Sequence, residues 1–247
     1  MYKSILFICL SLVLFSCSKE SQSGDATSGA GSGKGGSLAR FTIVGNNLFV
    51  VDHYTLKTYD ISNPAAMTLK YSTNVGFGVE TIYPYKDKLF IGSRDGMFIY
   101  STFADAAPQL LGTARHTRSC DPVVANDKNA FVTLRGGQPC GPAEDGLYIY
   151  NIENLLSPQL IKMSALPTPH GLGLQDSILY VCQKNNGLSV FNIDNPANPV
   201  LRKTIGNKIF EDVICYDNIL VAYVSTGIAL YDITAAANPV EITTINN

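Results

Sequence analysis

The sequence predicts an all-β chain, a five-bladed β-propeller of four-stranded blades, on three observations. A strand–turn–strand unit recurs five times after residue 38. Its period, near 41 residues, is that of a propeller blade when each period holds several short strands. The composition agrees: charged residues are 15%, against roughly 25% in an average globular domain, and 13 Tyr, 11 Phe and 21 Gly suit sheets joined by tight turns.

The first element of each unit is an apolar run. The five are Leu48-Phe49-Val50-Val51, Leu89-Phe90-Ile91-Gly92, Ala130-Phe131-Val132-Thr133, Leu179-Tyr180-Val181-Cys182 and Leu220-Val221-Ala222-Tyr223. The second element carries an aromatic at Tyr59, Tyr100, Tyr150, Phe191 and Tyr231, spaced 41, 50, 41 and 40 residues apart. One unit therefore holds an insertion of nine residues or so, Arg135 to Glu144. Asp95-Gly96, Asp145-Gly146, Asn186-Gly187 and Thr226-Gly227 separate the two elements, and such pairs supply the positive φ of a type I′ hairpin. A strand before this pair, as at Thr81 to Tyr85, and one after it, as at Gln109 to Ala114, complete four per unit. Pro108, Pro158, Pro199 and Pro239 precede the last strand, where a missing N–H costs no ladder bond. Runs apolar on both faces fit blades packed against a neighbour on each side.

Tyr59-Asp60-Ile61-Ser62-Asn63-Pro64, Phe191-Asn192-Ile193-Asp194-Asn195-Pro196 and Tyr231-Asp232-Ile233-Thr234 resemble the LVIVD repeat of bacterial surface propellers. The second unit departs from that pattern, with Tyr100-Ser101-Thr102. The resemblance implies a propeller in the cell envelope and implies no reaction.

The N-terminus has the character of a targeting segment. Lys3 precedes the apolar run Ile5 to Phe15, too short for a membrane-spanning helix. Leu14-Phe15-Ser16-Cys17 then resembles a bacterial lipobox, whose cysteine becomes the acylated first residue. Each buried methylene contributes roughly 0.8 kcal/mol, so two or three acyl chains anchor stably. The expected organisation is a lipoprotein signal peptide at 1–16, acylated Cys17 with a Gly/Ser-rich flexible tether at 17–37, and the propeller at 38–247. The expected location is the bacterial cell envelope, lipid-anchored to the outer membrane. Lys19-Glu20 faintly resembles an export signal of surface-exposed lipoproteins, and the periplasmic and surface-exposed sides both stay open.

A net charge of -2 advertises no nucleic-acid partner. Counting nine residues back from each first element gives the start of each innermost strand: Ala39, Glu80, Asp121, His170 and Glu211, with Arg40 and Asp212 alongside. Ionisable groups gathered at a channel mouth could hold a ligand, a hard cation such as calcium, or an acid–base pair. Innermost strands also commonly begin with polar residues that face channel water and cap loop amides, which is the stronger reading. A closed zinc site wants four ligands, mostly His or Cys, and this ring offers one histidine among carboxylates. His53 and His116 are expected at the surface. With Cys17 acylated, Cys120, Cys140, Cys182 and Cys215 remain in the mature chain. Cys120 and Cys140 belong to one rim and could form a disulfide; Cys182 and Cys215 are expected to be small buried hydrophobes.

Gly76-Phe77-Gly78 lacks the third glycine of a dinucleotide site, and no Gly-x-Ser-x-Gly elbow or Cys-x-x-Cys pair occurs. No catalytic residue is assigned and no cofactor is predicted beyond a possible divalent cation. The leading expectation is a membrane-anchored binding or scaffold module for a protein or glycan. The alternative is a divalent-cation-dependent hydrolase or lactonase-like enzyme using the polar ring.

Overall fold

The computed structural model describes residues 35–103, 106–137 and 140–247. The expected signal peptide, Cys17 and the tether up to residue 34 lie outside the described residues. Within them, five antiparallel sheets of four strands follow one another, each with its strands in chain order. Blade 1 is β1 (Phe41–Val44), β2 (Asn47–Val51), β3 (Thr55–Asp60) and β4 (Thr68–Asn74). Blade 2 is β5 (Val79–Tyr85), β6 (Lys88–Ser93), β7 (Gly96–Ser101) and β8 (Leu110–Arg115). Blade 3 is β9 (Val123–Ala125), β10 (Asn129–Leu134), β11 (Gly146–Asn151) and β12 (Gln159–Ala165). Blade 4 is β13 (Leu172–Gln175), β14 (Ile178–Cys182), β15 (Leu188–Asn192) and β16 (Val200–Ile205). Blade 5 is β17 (Phe210–Tyr216), β18 (Ile219–Val224), β19 (Gly227–Asp232) and β20 (Val240–Asn246). The first strands β1, β5, β9, β13 and β17 pack side by side in that order around the axis. We call the end carrying the blade-to-blade loops and the second-to-third-strand turns the upper face.

Three local devices repeat and explain the period. The aromatic of every third strand sits at a β-bulge against the fourth, at Tyr59, Tyr100, Tyr150, Phe191 and Tyr231. A bulge there raises the twist of the outer strands, which each blade needs to fan away from the axis. The Asp or Asn one residue later turns the chain back: Asp60, Asn151, Asn192 and Asp232 each accept from the amide two residues on. In blade 2, Ser101 accepts from the Gln109 amide instead.

The third device differs from the sequence expectation. The Asp-Gly and Asn-Gly pairs do not form type I′ turns, because neither Asp95 nor Asn186 has positive φ. Their glycines serve the approach of the fourth strand: a Cβ on Gly96, Gly187 or Gly227 would lie 2.5, 2.2 or 2.0 Å from its carbonyl oxygens. Left-handed two-residue turns occur at the lower end, between first and second strands, led by Gly45, Lys86, Asp176 and Asp217.

Buried apolar clusters join blade 1 to 2, 2 to 3, 3 to 4, and 4 to 5. Among the described residues, none joins blade 5 to blade 1. Tyr223 is 57% exposed and Phe41 62% exposed, which two closely packed blades would not permit. The seam is bridged at the axis instead. A turn closed by Ala39 N donating to Gly36 O (3.0 Å) presents Ser37 Oγ and Leu38 N to the Asp212 carboxylate, at 3.0 and 3.2 Å. Ser37 Oγ also accepts from Leu172 N of blade 4, at 2.7 Å.

Candidate functional site

The residues expected at the channel mouth do stand at the upper ends of the innermost strands. They do not form one ring of free side chains. His170 and Glu211 hold each other, the others are held by separate partners, and the main chains of Asp121, His170 and Glu211 staple neighbouring blades. Asp121 O accepts from Thr81 Oγ1 (3.3 Å), His170 O from Thr133 Oγ1 (2.6 Å), and Glu211 O from Gly171 N (2.9 Å).

Glu80 accepts from Arg94 Nε at 2.9 Å. Arg40 donates from Nη2 to Val79 O at 3.4 Å. Asp212 forms the clasp just described, and burial raises its pKa to about 6 against the lowering hydrogen bonds from Leu38 and Ser37. His170 lies between Glu211, whose Oε2 is 3.3 Å from Nδ1, and Arg135, whose guanidinium meets the ring. Burial and then the Arg135 and Lys184 charges push the His170 pKa down to about 3. The ring is therefore neutral.

Asp121 has no exposed surface, and its partner corrects the sequence reading. His116 is not a surface residue: its side chain is 4% exposed, and Nε2 lies 3.0 Å from Asp121 Oδ2. Nδ1 sits 2.8 Å from Thr117 O. Burial raises the Asp121 pKa to about 7. Burial would lower His116, but the hydrogen bond and charge of Asp121 prevail and raise it. His53 is exposed, as expected.

The buried pair thus holds its protons to higher pH than the same two groups do in the unfolded chain. For a group whose folded pKa is raised, the stability contribution is full below the unfolded pKa and is lost as pH rises through the folded one. We expect stability to decline as pH rises from about 4, where an unfolded aspartate titrates, through about 7, the folded Asp121 value. Urea unfolding across that range measures it. The decline should vanish in Asp121→Asn, and a decline that persists there would assign it to other groups.

Among the described residues, no three His, Cys, Asp or Glu side chains converge as a metal cluster requires. The insertion, in contrast, is built as a unit. Cys120 and Cys140 are disulfide-bonded with Cα atoms 5.0 Å apart. Gly136 N donates to Asp145 Oδ1 (2.8 Å), and Ala143 N donates to Arg118 O (3.3 Å). Cys182 is a buried free thiol, while Cys215 is only half-buried.

Sequence reasoning missed the upper rim of blades 1 and 2, where Tyr54, Phe77 and Arg118 lie together. The rings of Tyr54 and Phe77 are 5.9 Å apart, and the Arg118 guanidinium is 5.8 Å from the Phe77 ring. The signal was available in two oddities of the repeat: Tyr54-Thr55 replaces the usual Asp-Gly or Asn-Gly, and an aromatic stands between two glycines. Below the rim, the channel holds a cavity of about 420 Å³ lined by Tyr83 to Lys86, Leu172 to Gln175 and Val213 to Cys215, with Gly35 in its wall.

No curated protein sequence matches the chain. Solved structures share its fold, among them the following three. A protein from Lactobacillus plantarum superposes with a TM-score of 0.64 at 14% identity, over 81% of this chain and 69% of that one. A hypothetical selenium-binding protein from Sulfolobus tokodaii gives 0.61 at 10% identity, over 82% and 59%. AztD from Citrobacter koseri gives 0.57 at 13% identity, over 81% and 59%. The chain thus spans about three fifths to two thirds of the length of these relatives. At such identities the likeness is one of fold alone. Residues 35–75 and 176–205 match the model of the LVIVD repeat. The chain is a five-bladed β-propeller, and the two stretches that match the LVIVD repeat model lie in its first and fourth blades.

Proposed function

We propose that the chain is a binding module of the bacterial cell envelope, anchored to the outer membrane through an acylated Cys17, that offers its upper face to a protein or glycan. The observation that carries this reading is the braced insertion. A disulfide and backbone bonds to Arg118 and Asp145 fix an otherwise irregular loop on the face where neighbouring loops converge. Rigid scaffolds commonly present binding residues on such loops. The Gly/Ser-rich tether supports a domain held away from its anchor. The polar mouth supports hydrolase chemistry less well, since Glu80 is paired with Arg94, Asp121 with His116, and His170 with Glu211.

The test places a photo-crosslinking residue at exposed Thr117 of the upper face or exposed Asn195 of the lower end, in cells carrying the full chain. Adducts from position 117 and none from 195 are expected, with Cys17→Ser moving the protein to the soluble fraction. Adducts only from the lower position, or none from either, refute the face. A Cys17→Ser chain that stays with the membrane refutes the anchor.

A further inference from the structure

Gly76-Phe77-Gly78 fails as a nucleotide motif and builds something else. Positive φ at Gly76 (134°) and Gly78 (68°) allows the turn to carry Phe77 outward. The turn is pinned to its neighbour, with Val75 N donating to Tyr54 O (2.9 Å) and Val79 N to His53 O (3.1 Å). The neighbour is itself fixed, because Asp52 Oδ1 accepts from Tyr54 N (3.0 Å) and Thr55 N (2.8 Å). Those amide hydrogen bonds, Tyr54's first, hold the Asp52 carboxyl well below its usual range. The result is a rigid pair of half-exposed rings, Tyr54 at 53% and Phe77 at 48%, tilted 57° to one another.

Three arginines surround the same short turn. Arg118 lies over Phe77, its backbone propped by the disulfide-bonded insertion. Arg94 packs its side chain against Gly78, where a Cβ would come within 2.9 Å, and donates its amide to Gly78 O. Arg40 reaches Val79 O. Three nearby carboxylates are already engaged, Glu80 with Arg94, Asp52 with Lys57 at 3.1 Å, and Asp121 with His116, which leaves Asp95 beside Arg94. Among the described residues, Arg40 and Arg118 form no ion pair, so the turn carries surplus positive charge.

We propose that this ridge binds an acidic polysaccharide, a chain containing uronate sugars; the inference rests on the upper face being the binding face. The C–H-bearing face of a pyranose complements the negative face of an aromatic ring, and guanidinium groups recognise carboxylates in a planar, directional way. The ridge stands clear of the cavities lining the channel and the seam. An anchoring side chain of a protein partner needs a pocket to fill, whereas a sugar ring stacks on an open ring face. That favours a glycan over an acidic peptide.

The full chain, purified in detergent, is titrated calorimetrically with polygalacturonate and with its methyl-esterified form. The acid form should bind, weakening as salt rises, and the ester should bind about tenfold more weakly or not at all. Phe77→Ala and Arg118→Gln should each weaken binding of the acid form about tenfold with thermal unfolding unchanged. Equal affinity for acid and ester overturns the proposal, as does indifference to both substitutions. Polyaspartate competing as well as polygalacturonate would reduce the ridge to a charge patch and overturn it too. Crosslinking from position 117 without binding of polygalacturonate refutes the glycan and leaves the upper-face reading standing; failure of both refutes both.

Discussion

Gly92→Val should destabilise the propeller by about 3 kcal/mol, one of the largest effects expected of a single added side chain here. Gly92 ends the apolar run of β6 and faces blade 3. A Cβ built there lies 2.1 Å from Asp121 O and 2.4 Å from Thr81 Oγ1, so it meets a backbone carbonyl rather than a flexible side chain. Asp121 cannot retreat without losing its Thr81 bond, the Ser93 amide bond at 3.1 Å and the buried contact with His116. Blades 2 and 3 must separate, exposing part of the cluster around Phe90, Val123 and Val132. Urea unfolding measures the loss, and a cost below about 1 kcal/mol would show that the interface yields easily. Val51→Ile, a small enlargement at the matching position of blade 1, is the control for added bulk alone.

The second large effect is expected from the disulfide. Cys120 and Cys140 are separated by 20 residues, and removing the crosslink restores conformational freedom to that loop in the unfolded chain. In the chain-entropy account this costs about 3 kcal/mol. The paired change Cys120→Ser and Cys140→Ser should show it by chemical denaturation, and reductant should reproduce it in the unaltered protein. A second consequence is local. The insertion supports Arg118 through Ala143 N and through the close pass of Gly141. Proteolytic cleavage within 135–144 should accelerate in the serine variant while the other blades keep their protection. A variant as stable and as resistant as the parent would mean that backbone bonds alone hold the loop.

Blade number, strand number and the place of the insertion were legible because each rests on a local pattern repeated at one period. The aromatics at Tyr59, Tyr100, Tyr150, Phe191 and Tyr231 mark bulges, and the Asp or Asn after four of them caps a turn, so short-range chemistry carried that information. The turn type was misread, since Asp95-Gly96 looks identical whether its glycine supplies a left-handed residue or merely room for the fourth strand. His116 was misplaced for a different reason. Its partner Asp121 is five residues away along an irregular loop with no period, so nothing in the pattern shows the side chain turning inward. The unsealed seam could have been read. At the last position of the apolar run, Gly92, Thr133 and Cys182 are small and face the next blade, while Tyr223 is large. An amphipathic ring there suits a surface that meets water. The ridge of Tyr54, Phe77 and Arg118 draws on three loops, and only the three-dimensional arrangement assembles it.

The clasp at Ser37 bears on how the molecule carries load. A pull applied to the chain at Gly35 reaches Ser37 and Leu38 before it reaches β1, and these two residues are bonded to Asp212 and Leu172 of the last two blades. Tension from the N-terminal side is therefore shared across the ring's weakest join from the outset, not concentrated on the first sheet. Should that join part, the four apolar interfaces between consecutive blades remain to hold the rest together as an open arc.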